Sequence, residues 1–265
     1  MDMTPRKKVE LPFYFSTEGK FVHIVAEVAD DPGTLASMLN ILKTRVNFFS
    51  TSSYATERNR AIFSGFGKVL SDSDDANSLQ RVVAASPGVH DCQTHESDRG
   101  LLVDKFHRGI QSPGGDAYIL FPISALDSAL EAIVQSFGSG GEAILFTEGR
   151  NYGRSRGVLY KRILGPRPGT RVADIAAVST ALGWGDITNT LQSDGKVIDS
   201  VVKDCFECST NIKRRQGCSL IRGIAVGLAE GIFGREMTSV ETKCRTRGDE
   251  VCEFETAAKD QRPLL

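Results

Sequence analysis

Glycines at four-residue intervals restrict how this chain folds more than any other feature of its sequence. Two such sets occur in the second half of the chain: Gly149, Gly153 and Gly157, then Gly223, Gly227 and Gly231. Residues four apart lie on one face of an α-helix, so each set gives a helix one bare face. Because glycine is a poor helix former, the repeat predicts close approach to another backbone, in a helix–helix or helix–sheet seam. Incidental loop glycines are the weaker alternative.

Length and charge bound the class of protein. The 265 residues suit one large domain or two ordinary ones, and the composition of 25% charged and 40% hydrophobic residues is that of a soluble globular chain. The net charge of −1 lacks the basic excess of most nucleic-acid-binding domains. No apolar run approaches the roughly 20 residues that span a bilayer, and the first residues lack the apolar core of a secretory signal. We therefore expect a cytoplasmic protein with no membrane segment and no direct nucleic-acid binding.

The first half predicts a small module with the order strand-helix-strand-strand-helix-strand, a ferredoxin-like arrangement. Alternating hydrophobicity predicts the strands and helical spacing predicts the helices. The predicted strands are residues 21–28, 47–56, 60–69 and 89–94, with helices after the turn at 30–33 and around 79–84. A polar, turn-rich stretch places a domain boundary near Arg99. The predicted organisation is an N-terminal extension (1–19), a first domain (20–98), a second domain (99–258) and a C-terminal tail (259–265).

The first helix of this module begins at a sequence pattern that resembles the ACT domain family. The pattern is Asp30-x-Pro32-Gly33-x-Leu35-Ala36, with Val46-Asn47 a helix length later, and the resemblance covers roughly residues 20–95. In that family the loop before the helix often lines an amino-acid site at a dimer interface; here that loop is Asp30, Asp31, Pro32, Gly33 and Thr34. A helix N-terminus offers unpaired N–H groups to a ligand carboxylate. The simpler alternative is that Pro32-Gly33 only turns the chain and starts the helix.

The second half predicts mixed helices and antiparallel strands. Periodicity predicts a strand at 117–123, helices at 125–137 and 172–182, the two glycine-bearing helices, and a strand-like stretch over 196–209. Residues 238–245 and 250–256 read as the arms of a hairpin around Gly248. The predicted class is therefore α+β, with a ferredoxin-like module followed by an α/β domain.

The hairpin carries three residues that suit a metal. Cys244 and Cys252 are equidistant from Gly248, and directly paired residues have Cα atoms about 4.5–5.5 Å apart, which suits a shared metal or a disulfide. Glu241 points to the opposite face of a regular strand, so it joins Cys244 on one ion only if the strand bulges or twists. Cys218, before the second glycine helix, is available as a further ligand. A cytosolic disulfide and a metal-free hairpin remain alternatives.

Cys205 and Cys208 form a second cysteine pair with CxxC spacing. That spacing lowers thiol pKa values and supports redox exchange, and it also binds metals. Either cysteine is able to replace a ligand of the hairpin set. The alternative is two buried cysteines near a strand end.

A second resemblance rests on the segment from Glu241 to Phe254. Its pattern, Glu-x-x-Cys-x-x-x-Gly-Asp-x-x-Cys-x-Phe, together with GWG around Trp184 and the element ending in Cys218, resembles the 4-vinyl reductase domain over roughly residues 100–258. Three cysteines and one glutamate bind structural zinc in phenol-sensing relatives, which implies a closed zinc site formed by Cys218, Glu241, Cys244 and Cys252. Those relatives hold a small hydrophobic molecule. Candidate pocket aromatics are Tyr152, Tyr160, Trp184 and Phe206, although each also suits an ordinary core.

The predicted function follows from these parts. The second half has no nucleophile–base pair, Gly-x-Ser-x-Gly elbow, P-loop or Rossmann fingerprint, which disfavours an enzyme. We expect a cytosolic, homodimeric regulatory protein that binds a small hydrophobic or aromatic molecule in a zinc-stabilised domain and acts through an unidentified effector protein. Two alternatives remain: a reductase or reductase accessory with a coloured cofactor, and a structural adaptor, since the fold resembles subunits of vesicle-tethering complexes.

Overall fold

Two compact units make up the chain, residues 1–119 and 120–265. The computed structural model describes residues 13–15, 19–56, 59–97, 100–107, 109–111, 116–163, 168–192, 197–208 and 217–261. Both units combine antiparallel sheets with packed helices, so the mixed α/β class predicted from the sequence is confirmed. Arg99, the predicted boundary, lies outside the described residues, and the predicted domain limits stay predictions. None of the helices in the described ranges is long and apolar enough to cross a membrane.

The first unit is built on a four-stranded antiparallel sheet. Its elements are β1 Phe13–Phe15, β2 Phe21–Ala29, α1 Pro32–Leu42, β3 Val46–Ala55, β4 Arg60–Val69, α2 Ala76–Ala84, β5 Val89–Glu96, β6 Leu101–Val103, β7 Ile110–Gln111 and β8 Ala117–Tyr118. The sheet order is β3-β4-β2-β5, while β1 pairs with β6 and β7 with β8. Met38, Leu42, Leu79 and Val83 of the two helices pack on one sheet face. From β2 to β5 the element order is the predicted one; its identity as an ACT domain stays a prediction.

The opposite face of this sheet buries a histidine. His23 is 0% exposed; its ring stacks on Phe66 with centroids 3.9 Å apart, and its Nε2 lies 2.8 Å from Ser64 Oγ. Its Nδ1 lies 3.7 Å from Asp104 Oδ1 and has no hydrogen-bond partner in the described ranges. Burial lowers the pKa of His23 from 6.5 to about 4, against the opposing effect of Asp104.

We expect the stability of the first unit to fall as the pH drops from 6.5 to 4. His23 binds a proton more weakly in the folded chain, so the unfolded chain takes up the proton first and gains stability relative to the folded one. A pKa difference of this size corresponds to a loss of roughly 3 kcal/mol by pH 4. Urea unfolding at several pH values measures it. His23→Phe keeps a ring against Phe66 and should remove this part of the pH dependence; equal pH slopes in both proteins would contradict the prediction.

The second unit is a four-stranded antiparallel sheet covered by helices. Its elements are α3 Ile123–Phe137, α4 Ser139–Ile163, α5 Pro168–Ala181, β9 Asp186–Leu191, β10 Val197–Lys203, α6 Ser219–Phe233, β11 Met237–Lys243 and β12 Cys252–Ala258, with 3-10 turns at Phe206–Cys208, Arg245–Arg247 and Lys259–Gln261. The sheet order is β11-β12-β10-β9. Val172 and Ile175 of α5 and Val226 and Ile232 of α6 pack in one core cluster with Ile198 of β10.

Two of the predicted strands differ from the structure. The predicted strand at 117–123 is wrong beyond Tyr118, because Pro122 caps the start of α3 with φ −57°. Proline fixes φ near the helical value and lacks the N–H that a strand needs, so it favours a helix start. The strand-like stretch 196–209 ends at Lys203, and residues 206–208 form a 3-10 turn.

The two glycine sets form a seam between α4 and α6. A Cβ atom added at Gly153 would lie 2.3 Å from Ile224 O, and one at Gly227 would lie 2.0 Å from Arg150 O. The other four glycines face main-chain atoms of the partner helix in the same way. The residue numbers in contact rise together along both helices, so α4 and α6 run parallel. The predicted seam is confirmed and is a helix–helix contact.

Candidate metal centre and ligand cavity

The end of the β11–β12 hairpin brings Cys244 and Cys252 together. A register shift between Glu241 and Lys243 marks a bulge at the end of β11, as a shared site for Glu241 and Cys244 requires. The turn that follows closes at Gly248, whose φ of +100° favours glycine. The carboxylate of Asp249 accepts the N–H of Cys244 at 2.7 Å. Both cysteines are 0% exposed.

Three more cysteines converge on this hairpin end. Cys205 and Cys208 flank the 3-10 turn after β10, and Cys218 is the N-cap residue of α6. The Sγ of Cys218 lies 3.7 Å from that of Cys205, 2.9 Å from Cys208, 3.7 Å from Cys244 and 3.6 Å from Cys252. The Sγ of Cys208 lies 3.9 Å from Cys244 and 3.7 Å from Cys252. These five residues, named the thiol cluster below, are all buried.

The thiol cluster could hold a metal ion. Two sets of four residues have ligand atoms that all lie within 4.8 Å of one another: Cys205, Cys208, Cys218 and Cys252, and Cys218, Glu241, Cys244 and Cys252. The second is the set implied by the family resemblance. Zinc–sulfur bonds of about 2.3 Å in a tetrahedron place sulfur atoms about 3.8 Å apart, close to most of the separations above. The donor atoms and their spacing therefore fit zinc.

Two glutamates fix the start of α6. Glu241 Oε1 accepts the N–H of Cys218 at 3.0 Å, and the Glu207 carboxylate accepts the N–H groups of Leu220 at 3.0 Å and Ile221 at 2.9 Å. The first N–H groups of a helix have no partners within it, so these carboxylates supply them. Glu207 is only 2% exposed. Sequence reasoning missed it; its position inside the CxxC pair is the one signal that marked it.

The electrostatics of the thiol cluster favour a cation. Neighbouring thiols, Cys205 first, lower the pKa of Cys252 and raise the pKa of Cys218. One thiolate is stabilised by hydrogen bonds from its neighbours, whereas a second negative charge in the same buried volume is repelled. A divalent cation removes that repulsion and allows several thiolates to coexist.

A cavity lies between the sheet and the helices α5 and α6. Its volume is about 60 Å³, and none of its lining residues is charged. Apolar side chains form most of the wall, among them Ile175, Trp184, Val202, Ile221 and Phe254. The polar residues of the wall are Ser179, Asn189, Ser200 and Thr256. The cavity is therefore an uncharged, largely apolar site with a few hydrogen-bonding groups.

One of the four predicted pocket aromatics lines this cavity. Trp184 forms part of the wall; Tyr152, Tyr160 and Phe206 do not. Tyr152 and Phe206 instead contact the Trp184 ring, with centroid separations of 5.3 and 6.3 Å. Tyr160 packs against the core cluster of α5 and α6. A role for these three in ligand binding stays a prediction.

The predicted amino-acid site of the first unit already holds a carboxylate of the chain itself. Asp31 accepts the N–H groups of Gly33 at 2.8 Å and Thr34 at 3.0 Å, and the Thr34 hydroxyl also donates to it. These bonds, the Thr34 side chain first, lower the pKa of Asp31. A ligand carboxylate at Asp30–Thr34 would have to displace Asp31. The amino-acid site stays a prediction.

Comparison with known proteins places the second unit. Residues 198–257 match the 4-vinyl reductase (V-4-R) domain. An uncharacterised protein of Methanocaldococcus jannaschii is 28% identical over 175 residues, which cover 62% of this chain and 95% of that protein. The phenol-responsive sensory domain of the transcription activator PoxR, solved with phenol, is 18% identical with a TM-score of 0.50, covering 56% of this chain and 80% of that one. A vinyl-4-reductase family protein from Methanocaldococcus jannaschii is 16% identical with a TM-score of 0.33, covering 54% and 99%.

The matched segment runs from β10 to β12 and contains every cysteine of the thiol cluster. The fold shared with the PoxR sensory domain and the family match agree with the resemblance that the segment from Glu241 to Phe254 indicates. The carboxy-terminal region of this chain, residues 198–257, is a 4-vinyl reductase domain.

Proposed function

We propose that the second unit is a ligand-sensing regulatory domain that holds a small, uncharged, mostly apolar molecule in the cavity beside Trp184. The cavity itself carries the proposal, because its wall is apolar with a few polar residues and no charge. Small-molecule sites in proteins usually have this composition. A structural adaptor would be expected to fill its core with its own side chains. The PoxR domain, whose fold is similar, is phenol-responsive, which supports the same class of function here.

The chemistry of the wall narrows the ligand class. A buried carboxylate or ammonium group without a partner of opposite charge is strongly unfavourable, so the uncharged wall selects neutral molecules. The hydroxyls of Ser179 and Ser200, residues 8% and 7% exposed, have no side-chain hydrogen-bond partner among the described residues. A ligand with one hydroxyl group would satisfy one of them. An apolar cavity of about 150 Å³ accommodates benzene, so a ring here requires the wall to widen.

Widening of the cavity would act directly on the thiol cluster. Val202, Ile221 and Phe254 line the cavity and also belong to the core cluster that contains the five thiols. A ligand that moves these side chains therefore changes the packing around the cysteines. In the proposed protein a structural zinc holds this region, the first unit (predicted limits 20–98) dimerises or binds an amino acid, and the second (99–258) signals to a partner protein in the cytoplasm.

Phenol is expected to change the fluorescence of Trp184 saturably. Trp184 is the single tryptophan in the sequence, so its emission reports on the second unit alone. Toluene, which lacks the hydroxyl, should bind more weakly, and benzoate should not bind because of its charge. Titrations of the purified protein with these three compounds measure the difference.

Matched valine substitutions separate the cavity from the surface. Ala229→Val adds two methyl groups to the cavity wall and should weaken phenol binding at least tenfold, whereas Ala177→Val on the exposed face of α5 should not change it. Thermal unfolding of both variants checks that they fold. Equal phenol affinity in the two folded variants, or tighter binding of benzoate than of phenol, would refute the proposed site.

A further inference from the structure

The thiol cluster offers more donors than one ion takes. Five sulfur atoms and the Glu241 carboxylate lie in the same region, while tetrahedral zinc binds four ligands. Two of the six donors must therefore have another role. The positions and the other contacts of these groups distinguish ligands from supporting residues.

We propose that the metal ligands are the four thiolates of Cys208, Cys218, Cys244 and Cys252, and that Glu241 caps α6 instead of binding the ion. This assignment deepens the metal part of the proposed function and is independent of the cavity. It replaces the one carboxylate of the set implied by the family resemblance with a sulfur atom from the CxxC pair.

The sulfur geometry supports this set of four. Of its six separations, four lie between 3.6 and 3.9 Å, and Cys244 and Cys252 lie within 4.8 Å of each other. A tetrahedral zinc–thiolate site has edges of about 3.8 Å. The remaining pair, Cys208 and Cys218, is closer at 2.9 Å, so a bound ion would spread it by nearly 1 Å. A disulfide needs about 2.05 Å between sulfur atoms, so the present distance matches neither bond.

Cys205 lies at the edge of this set. Its Sγ is 3.7 Å from that of Cys218 and within 4.8 Å of those of Cys208 and Cys252. Cys244, in contrast, joins Cys205 in neither of the two groups whose donor atoms are all mutually close. A single ion at the centre of the other four sulfurs therefore leaves Cys205 as a neighbouring thiol.

Glu241 already has partners for both carboxylate oxygens. Its Oε1 accepts the N–H of Cys218 at 3.0 Å, and its Oε2 lies 3.2 Å from the guanidinium of Arg247. Turning the carboxylate toward an ion would break the cap of a helix that begins at a ligand residue. The Cys218 position would then lose the hydrogen bond that holds its backbone.

Groups around the four sulfurs offset their negative charge. The positive end of the α6 dipole lies at Cys218, and helix N-termini stabilise thiolates. The Thr246 hydroxyl lies 3.0 Å from Cys244 Sγ and is able to donate to a thiolate there. Arg247 pairs with Glu241 beside the cluster. These contacts support four thiolates without the carboxylate as a ligand.

X-ray absorption at the zinc edge, on protein purified under reducing conditions, tests the ligand set. We expect about one zinc per chain with four sulfur atoms at about 2.3 Å and no oxygen shell. Three sulfurs with one oxygen would overturn the assignment. So would metal-free protein with a Cys208–Cys218 disulfide found by mass spectrometry.

Three single variants give an independent answer. Glu241→Gln keeps an oxygen that accepts the Cys218 N–H but is a poor zinc ligand, and Cys205→Ser is the matched cysteine control; both should retain one zinc. Cys208→Ser should release zinc to a chelator at least 100-fold more readily. If Cys208→Ser fails to fold, cobalt absorption of the parent and of Glu241→Gln replaces it, and identical spectra are expected. Loss of metal in Glu241→Gln with retention in Cys208→Ser would reverse the proposal, while phenol titration of the zinc-loaded parent reports separately on the proposed function.

Discussion

Gly153→Ala is expected to unfold the second unit, whereas Gly140→Ala in the same helix should leave it folded and slightly more stable. The new Cβ at Gly153 would lie 2.3 Å from Ile224 O and 2.9 Å from Leu228 N, but nothing lies within 4 Å of a Cβ at Gly140. Main-chain atoms cannot rotate away as a side chain does, so α4 and α6 must separate along the seam. Overpacking of side chains costs about 1–3 kcal/mol, and we expect a loss above that range here. At Gly140 alanine should gain up to about 1 kcal/mol from helix propensity.

Urea unfolding followed by Trp184 fluorescence measures both variants in the same unit. Gly227→Ala tests the seam from the other helix, because its Cβ would lie 2.0 Å from Arg150 O. All three proteins differ from the parent by one methyl group, so differences between them report position alone. If Gly153→Ala unfolds within about 1 kcal/mol of Gly140→Ala, the helices can separate at little cost, and close approach is not required for the fold.

The features that the sequence could predict depend on short-range patterns. The α4–α6 seam follows from glycines four residues apart, and the pairing of Cys244 with Cys252 follows from their equal distance to Gly248. Strand and helix order in the first unit follows from hydrophobic periods of two and about four residues. In each case the information lies within a few turns of one element or one hairpin.

The features that the sequence could not predict depend on where the chain returns in space. Cys208 reaches the hairpin through a 3-10 turn, and Glu207 of the same turn caps α6 across a gap of 13 residues in sequence. Strand β9, DITNTL, has few apolar residues and takes its place by pairing with β10. The cap at α1 is local, but whether Asp31 or a ligand fills it depends on rotamer choice. Tertiary packing, which a single sequence does not encode in any local pattern, decides these cases.

Removal of the metal under reducing conditions is expected to unfold the second unit and leave the first unit folded. The thiol cluster joins the end of β10, the start of α6 and the β11–β12 hairpin, and it shares a core with Val202, Ile221 and Phe254. Structural zinc contributes an apparent 10–16 kcal/mol or so in small zinc domains, comparable with the roughly 5–15 kcal/mol total stability of a typical protein. Without the cation, the thiolates must be protonated or they repel one another.

Dialysis against a chelator with a thiol reductant, followed by readdition of zinc, performs this measurement reversibly. Trp184 emission should shift to that of an exposed indole on chelation and return with one equivalent of zinc. The first unit serves as an internal control: its core strands, which include buried Val22 and Ile24, should keep their amide protection from hydrogen exchange. Metal-free, fully reduced protein with native Trp184 emission would show that the five thiols pack as an ordinary core. Because that packing alone would then hold the hairpin, α6 and the CxxC turn together, the metal could no longer be structural.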